Sequence, residues 1–311
     1  MSTKINKLCL AVALAAAAIG TAQAKEGGDQ YPNGAETWLA GAVPPPGNYF
    51  LNYFGNYHGQ LRNGDGDKVP GASVDAWFDA MRFVHTSEHK ILGGFWGWHV
   101  ILPVVHQSVS LGGPSGSATG IGDLTINPFI LSWHTKNWHW AVALDINLPT
   151  GKYESGDPRR SIGTNYWSVE PIFAVSYMGD TGWEASAKFM YNIKGKNGDF
   201  RPAPGAPKMD YQSGDEFHMD YLVGKRFGPW GVGVSGYYLK QTTNDELDGT
   251  KISSALGPWS DGRKGQVFAY GPSVSYTNKA GMHFIGQWQR EANVENRFGG
   301  DKVWFKLIMP L

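Results

Sequence analysis

Cysteine is almost absent from this chain: there is one in 311 residues, Cys9, and it falls within an N-terminal apolar stretch. Disulfide and thiol chemistry are thereby excluded from everything that follows it. The preceding Asn6-Lys7-Leu8 lacks the small residue that a lipoprotein cleavage site needs just before its cysteine. Long apolar runs are also missing. The stretch from Leu8 to Ile19 is too short to cross a bilayer as a helix, and no later segment offers a longer one, which excludes a helical membrane protein. An excess of charge of either sign is missing too, with 27 basic against 27 acidic residues. Nothing in that balance suggests nucleic acid or a polybasic membrane anchor.

What the N-terminus does contain is a secretory pattern. Lys4 and Lys7 precede the apolar run, and Thr21-Ala22-Gln23-Ala24 closes it, so residues 1–24 are expected to be a signal peptide cleaved after Ala24. Loss of Lys4 and Lys7 leaves a mature net charge of −2.

The rest is rich in Trp (13), Tyr (14) and Gly (42), a composition that favours an all-β protein with many turns. The segment WHWAVALDINLPTGKYES, 138–155, shows the pattern. Trp138, Trp140, Val142, Leu144, Ile146 and Leu148 alternate with His139, Ala141, Ala143, Asp145 and Asn147, which is strand periodicity. Similar alternation predicts strands over 48–59, 73–85, 91–106, 121–134, 137–149, 164–178, 182–194, 215–227, 230–241, 265–277, 281–290 and 300–309. Their connections alternate strictly. TSEHK, TKN, GDTG, GP and NKAG are tight turns, whereas Gln60–Ala72, Gln107–Gly120, Thr150–Gly163, Gly195–Gly214, Thr242–Lys264 and the shorter Glu291–Gly299 are polar loops. Sorting short turns to one end and long loops to the other is a property of outer-membrane barrels and not of soluble sandwiches. The expected fold is therefore all-β, a twelve-stranded antiparallel up-and-down transmembrane β-barrel over 47–311, in the bacterial outer membrane.

Alternation also assigns faces. Arg or Lys on the lipid side near the midplane costs about 2–4 kcal/mol, so charged positions inside the strands should face the lumen. Arg82, Asp123, Asp145, Glu170, Glu184, Lys188, Asp220 and Arg226 are the lumen-lining candidates, with Asn52, Asn127, Asn192 and Gln287 beside them. For any one of them, an ion pair that stiffens the wall is the simpler reading. Phe50, Phe54, Phe95, Tyr166, Tyr237 and Trp304 are candidate apolar patches on the same side. Trp138, Trp140, Trp183 and Trp230 follow tight turns and form a candidate interfacial girdle. Residues 25–46 do not read as a strand: a short helix-capable piece, 35–42, runs into Pro44-Pro45-Pro46. They are expected to enter the lumen as a hatch, with Trp38 and Leu39 as contacts, or else to form a flexible tail.

The segments GIGDLTINPFILSWH (120–134), LDINLPTGKY (144–153), NYWSVEPIFAVSY (165–177), MDYQSGDEFHMDYLVG (209–224) and GYYLKQTTND (236–245) resemble the outer-membrane family associated with the meta-cleavage pathway of phenol degradation, from about Gly34 to Met309. The resemblance implies an outer-membrane transport channel, often associated with the breakdown of aromatic compounds. One departure is the end KLIMPL, where barrels of this kind commonly carry a terminal aromatic residue used by the assembly machinery.

Catalytic patterns are weak. No G-x-S-x-G elbow is present, His85 and His89 fall on a strand end and turn, and NGDGDK (63–68) carries Lys68 where a calcium loop needs glycine. No enzyme, metal or cofactor is expected. Passive uptake of small hydrophobic or aromatic compounds is the expected function, with outer-membrane lipid and such a solute as partners. A structural or adhesive barrel with a closed pore is the alternative. The sequence leaves the oligomeric state open.

Overall fold

The computed structural model describes residues 29–252 and 260–311; the expected signal peptide lies outside them, as do the first four residues of the expected hatch. Twelve long strands make the wall: β1 Gly47–Arg62, β2 Lys68–Ile91, β3 Gly94–Leu111, β4 Leu124–His134, β5 Trp138–Leu148, β6 Ser168–Met178, β7 Trp183–Lys194, β8 Glu216–Phe227, β9 Trp230–Gln241, β10 Gln266–Thr277, β11 His283–Glu295 and β12 Phe298–Pro310. Each pairs antiparallel with its sequence neighbour, and β12 returns to β1 in register from Tyr49↔Pro310 to Leu61↔Phe298. The twelve strands thus close into a barrel, which satisfies the backbone in a lipid setting, and a short thirteenth strand, Gly116–Ile121, pairs with the end of β3. Among the described residues no helix is long and apolar enough to cross a membrane; strands are the crossing elements.

Directly paired residues share a face, so register converts alternation into inside and outside. Phe173, Val223, Val232, Val234, Val274 and Phe305 all point outward and are exposed. Their inward neighbours Ala174, Leu222, Ser235, Ser273 and Trp304 are buried. An apolar outer belt around a polar interior is the inverse of a soluble protein and marks an outer-membrane-type barrel.

Connections at both ends of the barrel differ from the sequence expectation. The tight turn after β2 is not TSEHK, which stays within the strand across a register shift between Thr86 and Lys90. The chain instead reverses at Leu92-Gly93, both at positive φ (50° and 78°), as a two-residue hairpin requires. At the opposite end, residues expected as loop continue the ladder to Arg62↔Lys68. Leu61 and Ala72 of this stretch are buried, so packing extends the strands. At that end 195–215 and the described part of 242–265 contribute the short strands Asn197–Phe200, Met209–Gln212, Glu246–Leu247 and Thr250–Lys251. These form a small sheet around Phe200, Met209, Tyr211 and Ile252.

Candidate functional site

The interior is organised around residues 29–46, which run from the long-loop end to the short-turn end inside the ring. Near the long loops, Gln30 Nε2 donates to Thr164 Oγ1 at 2.8 Å and to Asp123 Oδ2 at 3.3 Å. Farther in, Tyr31 OH donates to Asp220 Oδ2 (2.5 Å), as does the Glu36 amide (3.0 Å), while the Gly34 amide donates to Asp220 Oδ1 (2.8 Å). From the facing wall, Lys302 Nζ reaches the Asn33 carbonyl at 3.0 Å and Lys306 Nζ reaches that of Gly34 at 3.1 Å. Near the short turns, the Leu39 amide donates to Glu184 Oε1 at 2.6 Å, and the Gly41 amide donates to Ser176 Oγ at 2.9 Å. A chain without regular structure has many backbone groups to satisfy, and here polar wall residues supply the partners that water would otherwise provide.

Trp38 is the deepest apolar contact of this run. Its indole Nε1 donates to Ser273 Oγ at 2.8 Å, and its ring lies where two wall glycines leave space. A Cβ at Gly224 would stand 2.6 Å from the ring and one at Gly231 2.8 Å from it. Leu39, at φ 61°, adopts a left-handed conformation that a branched residue rarely takes.

A dense charge cluster sits midway. Glu36 accepts from Lys188 Nζ at 2.6 Å, from Tyr53 OH at 3.0 Å and from Arg82. Arg82 Nη2 also meets His99 Nδ1 at 2.8 Å, and His99 Nε2 lies 3.1 Å from Asp145, which accepts from Asn127 at 2.6 Å. With Glu170 and Asp220 beside it, this partition lies between two cavities among the described residues. The outer one, about 360 Å³, is lined by Val74, Phe78, Ile101, Val105, Ile162 and Phe298 among others. The inner one, about 760 Å³, is bounded by Leu39, Leu51, Val84, Ile130, Ile172 and Ile308 among others.

The sequence-derived candidates fall as follows. Asp145, Glu170, Glu184, Lys188 and Asp220 are buried on inward positions, with Arg82 joining them through Glu36. Arg226 faces inward at the short-turn end and pairs with Glu184 at 2.5 Å. Asp123 lies in a break between two strands and not inside one. Its carboxylate accepts from the Gly151 and Thr164 amides, both at 2.9 Å, and so ties down the 149–167 connection. Asn127, Asn192 and Gln287 are inward and buried. Asn52 is not: it faces outward, where its Nδ2 donates to Asp79 at 2.5 Å. Phe50 and Phe54 are outward as well, and Phe54 packs on exposed Trp77 at 5.6 Å. The inward set of β1 is instead Tyr49, Leu51, Tyr53 and Tyr57, two of whose hydroxyls reach interior carboxylates. Phe95 lines the inner cavity, and Tyr166, Tyr237 and Trp304 are buried.

Trp138, Trp183 and Trp230 are exposed on the outer face beside the short turns. Trp138 packs on Tyr177 at 5.0 Å, Trp230 on Tyr276 at 4.7 Å, and Trp140 stacks on Trp133 at 6.3 Å. Sequence reasoning missed Tyr31, Asn33 and Glu36. Their only signal was that a Gly- and Pro-rich stretch carries an acid and a tyrosine without any strand to place them.

Solved structures are similar to this one to different degrees. The COG4313 outer membrane channel from Pseudomonas putida F1 superposes with a TM-score of 0.73 at 14% identity, over 91% of this chain and 100% of that one. The β domain of the Bordetella autotransporter BrkA gives 0.49 at 9% identity, over 86% and 100%. The Pseudomonas putida toluene transporter TodX gives 0.43 at 9% identity, over 93% and 94%. No curated protein matches. The first of these superpositions shows that the chain has the fold of an outer-membrane β-barrel. A family model described as "Putative MetA-pathway of phenol degradation" matches residues 59–307, most of the barrel, and the chain belongs to that family.

Proposed function

We propose that this protein admits small hydrophobic or aromatic compounds passively across the outer membrane, with residues 25–46 acting as a hatch. The observation that carries this reading is the pair of cavities with largely apolar walls, one on each side of a single polar partition. An apolar solute gains by leaving water for such walls, and the partition between them belongs partly to a non-strand segment held by side-chain hydrogen bonds. The family's description supports the aromatic class of solute. Flux would follow the concentration gradient, maintained by consumption inside the cell.

The test is uptake of radiolabelled phenol, benzoate, alkanes and fatty acids into proteoliposomes carrying the refolded protein, against empty liposomes. Faster entry of one chemical class supports the reading. Deletion of 25–46 should raise single-channel conductance; an unchanged value removes the hatch. A closed structural or adhesive barrel is the second reading, favoured by the number of hydrogen bonds that fasten 29–46 to the wall. Absence of accelerated entry for every compound, with folding verified, would select it.

A further inference from the structure

We propose that the inner cavity holds a seat for the carboxylate of an amphipathic solute, formed by His283 with Lys306 and Arg226 beside it; the proposal rests on the uptake reading above. The three side chains line the same cavity. His283 opens β11 and pairs with Ile308 of β12, two residues from Lys306, so the imidazole and the ammonium occupy diagonal inward positions on adjacent strands.

His283 carries the argument. It is buried, at 5% exposure, and its Nδ1 lies 2.8 Å from Thr277 Oγ1. Among the described residues nothing hydrogen-bonds its Nε2, which is buried as well. In the tautomer whose Nδ1 accepts from the Thr277 hydroxyl, the imidazole proton resides on Nε2, and a buried donor then borders the cavity without an acceptor. Buried donors are ordinarily paired, so an orphan at a cavity wall points to an acceptor brought by a ligand.

The field identifies that acceptor. Arg82, Lys188, Arg226 and Lys306 line the inner cavity against one carboxylate, Glu36, and Glu36 is already shared by Arg82 and Lys188. Arg226 has Glu184 behind it. Lys306 donates to the carbonyls of Gly34 and Ala35, and among the described residues none of its hydrogen bonds goes to a carboxylate. A neutral hydroxyl would satisfy Nε2, but a carboxylate also gains from the surrounding cations. The aliphatic wall formed by Ile285, Ile308 and Ile172 leaves room for its apolar body.

The experiment compares benzoate with benzyl alcohol, a neutral ligand of similar size, by equilibrium binding to the full mature protein in nanodiscs. The wild type, His283→Phe and His283→Gln are each checked for heat-modifiable migration as evidence of folding. The wild type should prefer benzoate by about tenfold or more, the size of one hydrogen bond to a charged group. His283→Phe should lose most of that preference while keeping its affinity for benzyl alcohol, and His283→Gln, which retains an amide donor, should regain part of it. Equal affinities in the wild type, a preference unchanged in His283→Phe, or no binding of either ligand would overturn the seat. Toluene flux through the same protein in liposomes then decides separately whether the uptake reading stands.

Discussion

Glu36 and Lys188 meet at 2.6 Å, one on the irregular N-terminal segment and the other on β7, so the wall holds the segment through an ion pair whose ammonium is buried and whose carboxylate is partly so. Removing one member of such a pair costs about 3–5 kcal/mol because the other charge is left behind. Here that cost would fall on the seated state of the segment and not on the barrel ladder. Glu36→Gln should therefore raise single-channel conductance and speed chymotryptic cleavage at Trp38 and Leu39, while Glu36→Gln with Lys188→Met restores part of the wild-type behaviour. Equal conductance in all three proteins would show that the pair does not hold the segment.

Gly224→Ala tests the contact between Trp38 and the wall, because the nearest atom to an added Cβ there is in the Trp38 ring, at 2.6 Å. The added methyl must displace the ring or the strand, at about 1–3 kcal/mol for overpacking. Gly286→Ala is the control, because an added Cβ there meets nothing within 4 Å. Thermal unfolding in lipid should separate the two, and combining Gly224→Ala with Trp38→Ala should cancel much of the loss.

Val234 projects outward near the middle of β9 and is 53% exposed. Val234→Arg should destabilise the protein by about 2–4 kcal/mol in guanidinium titrations of vesicles, the cost of a cation on the lipid face. A neutral outcome would mean that this face does not meet lipid.

The 149–167 connection carries its own pH dependence. Asp157 is held below the usual carboxylate range, chiefly by the Arg159 side-chain hydrogen bond at 2.7 Å. A carboxyl with a depressed folded value stabilises at pH above its ordinary value of about 3.9, and that contribution fades as pH falls through the lower folded value. Proteolytic nicking of this connection should thus be flat from neutrality to about pH 4 and should rise below it, with Asp157→Asn nicked faster near neutrality and converging on the wild type at low pH. Digestion with a protease active over the whole range, each rate normalised to that on the unfolded chain and followed by mass spectrometry, reads both.

The wall was legible in the sequence wherever the two alternating sets differed in kind. In β7, Trp183, Ala185, Phe189 and Ile193 face out while Glu184, Lys188 and Asn192 face in, a contrast that only one assignment satisfies. In β1 both sets are aromatic, and the deciding feature is the tyrosine hydroxyl. Tyr53 and Tyr57 turn inward because Glu36 and Glu291 wait there for their protons, which leaves Phe50, Asn52 and Phe54 outside. The partition was only half legible, because Arg82, Lys188 and Asp220 sit on a periodic scaffold and Glu36 does not. Its position follows from long-range partners that no local pattern encodes.

The seam between β1 and β12 joins the first strand of the wall to the last. Residues 29–46 precede both, yet Asn33 and Gly34 take hydrogen bonds from Lys302 and Lys306, 269 and 272 positions later. The earliest-made part of the described chain therefore acquires its partners from the latest. Contacts so distant in sequence form slowly. The hoop must close around a thread already inside it or admit that thread afterwards, and in either case the segment lacks a settled conformation for most of the protein's biogenesis.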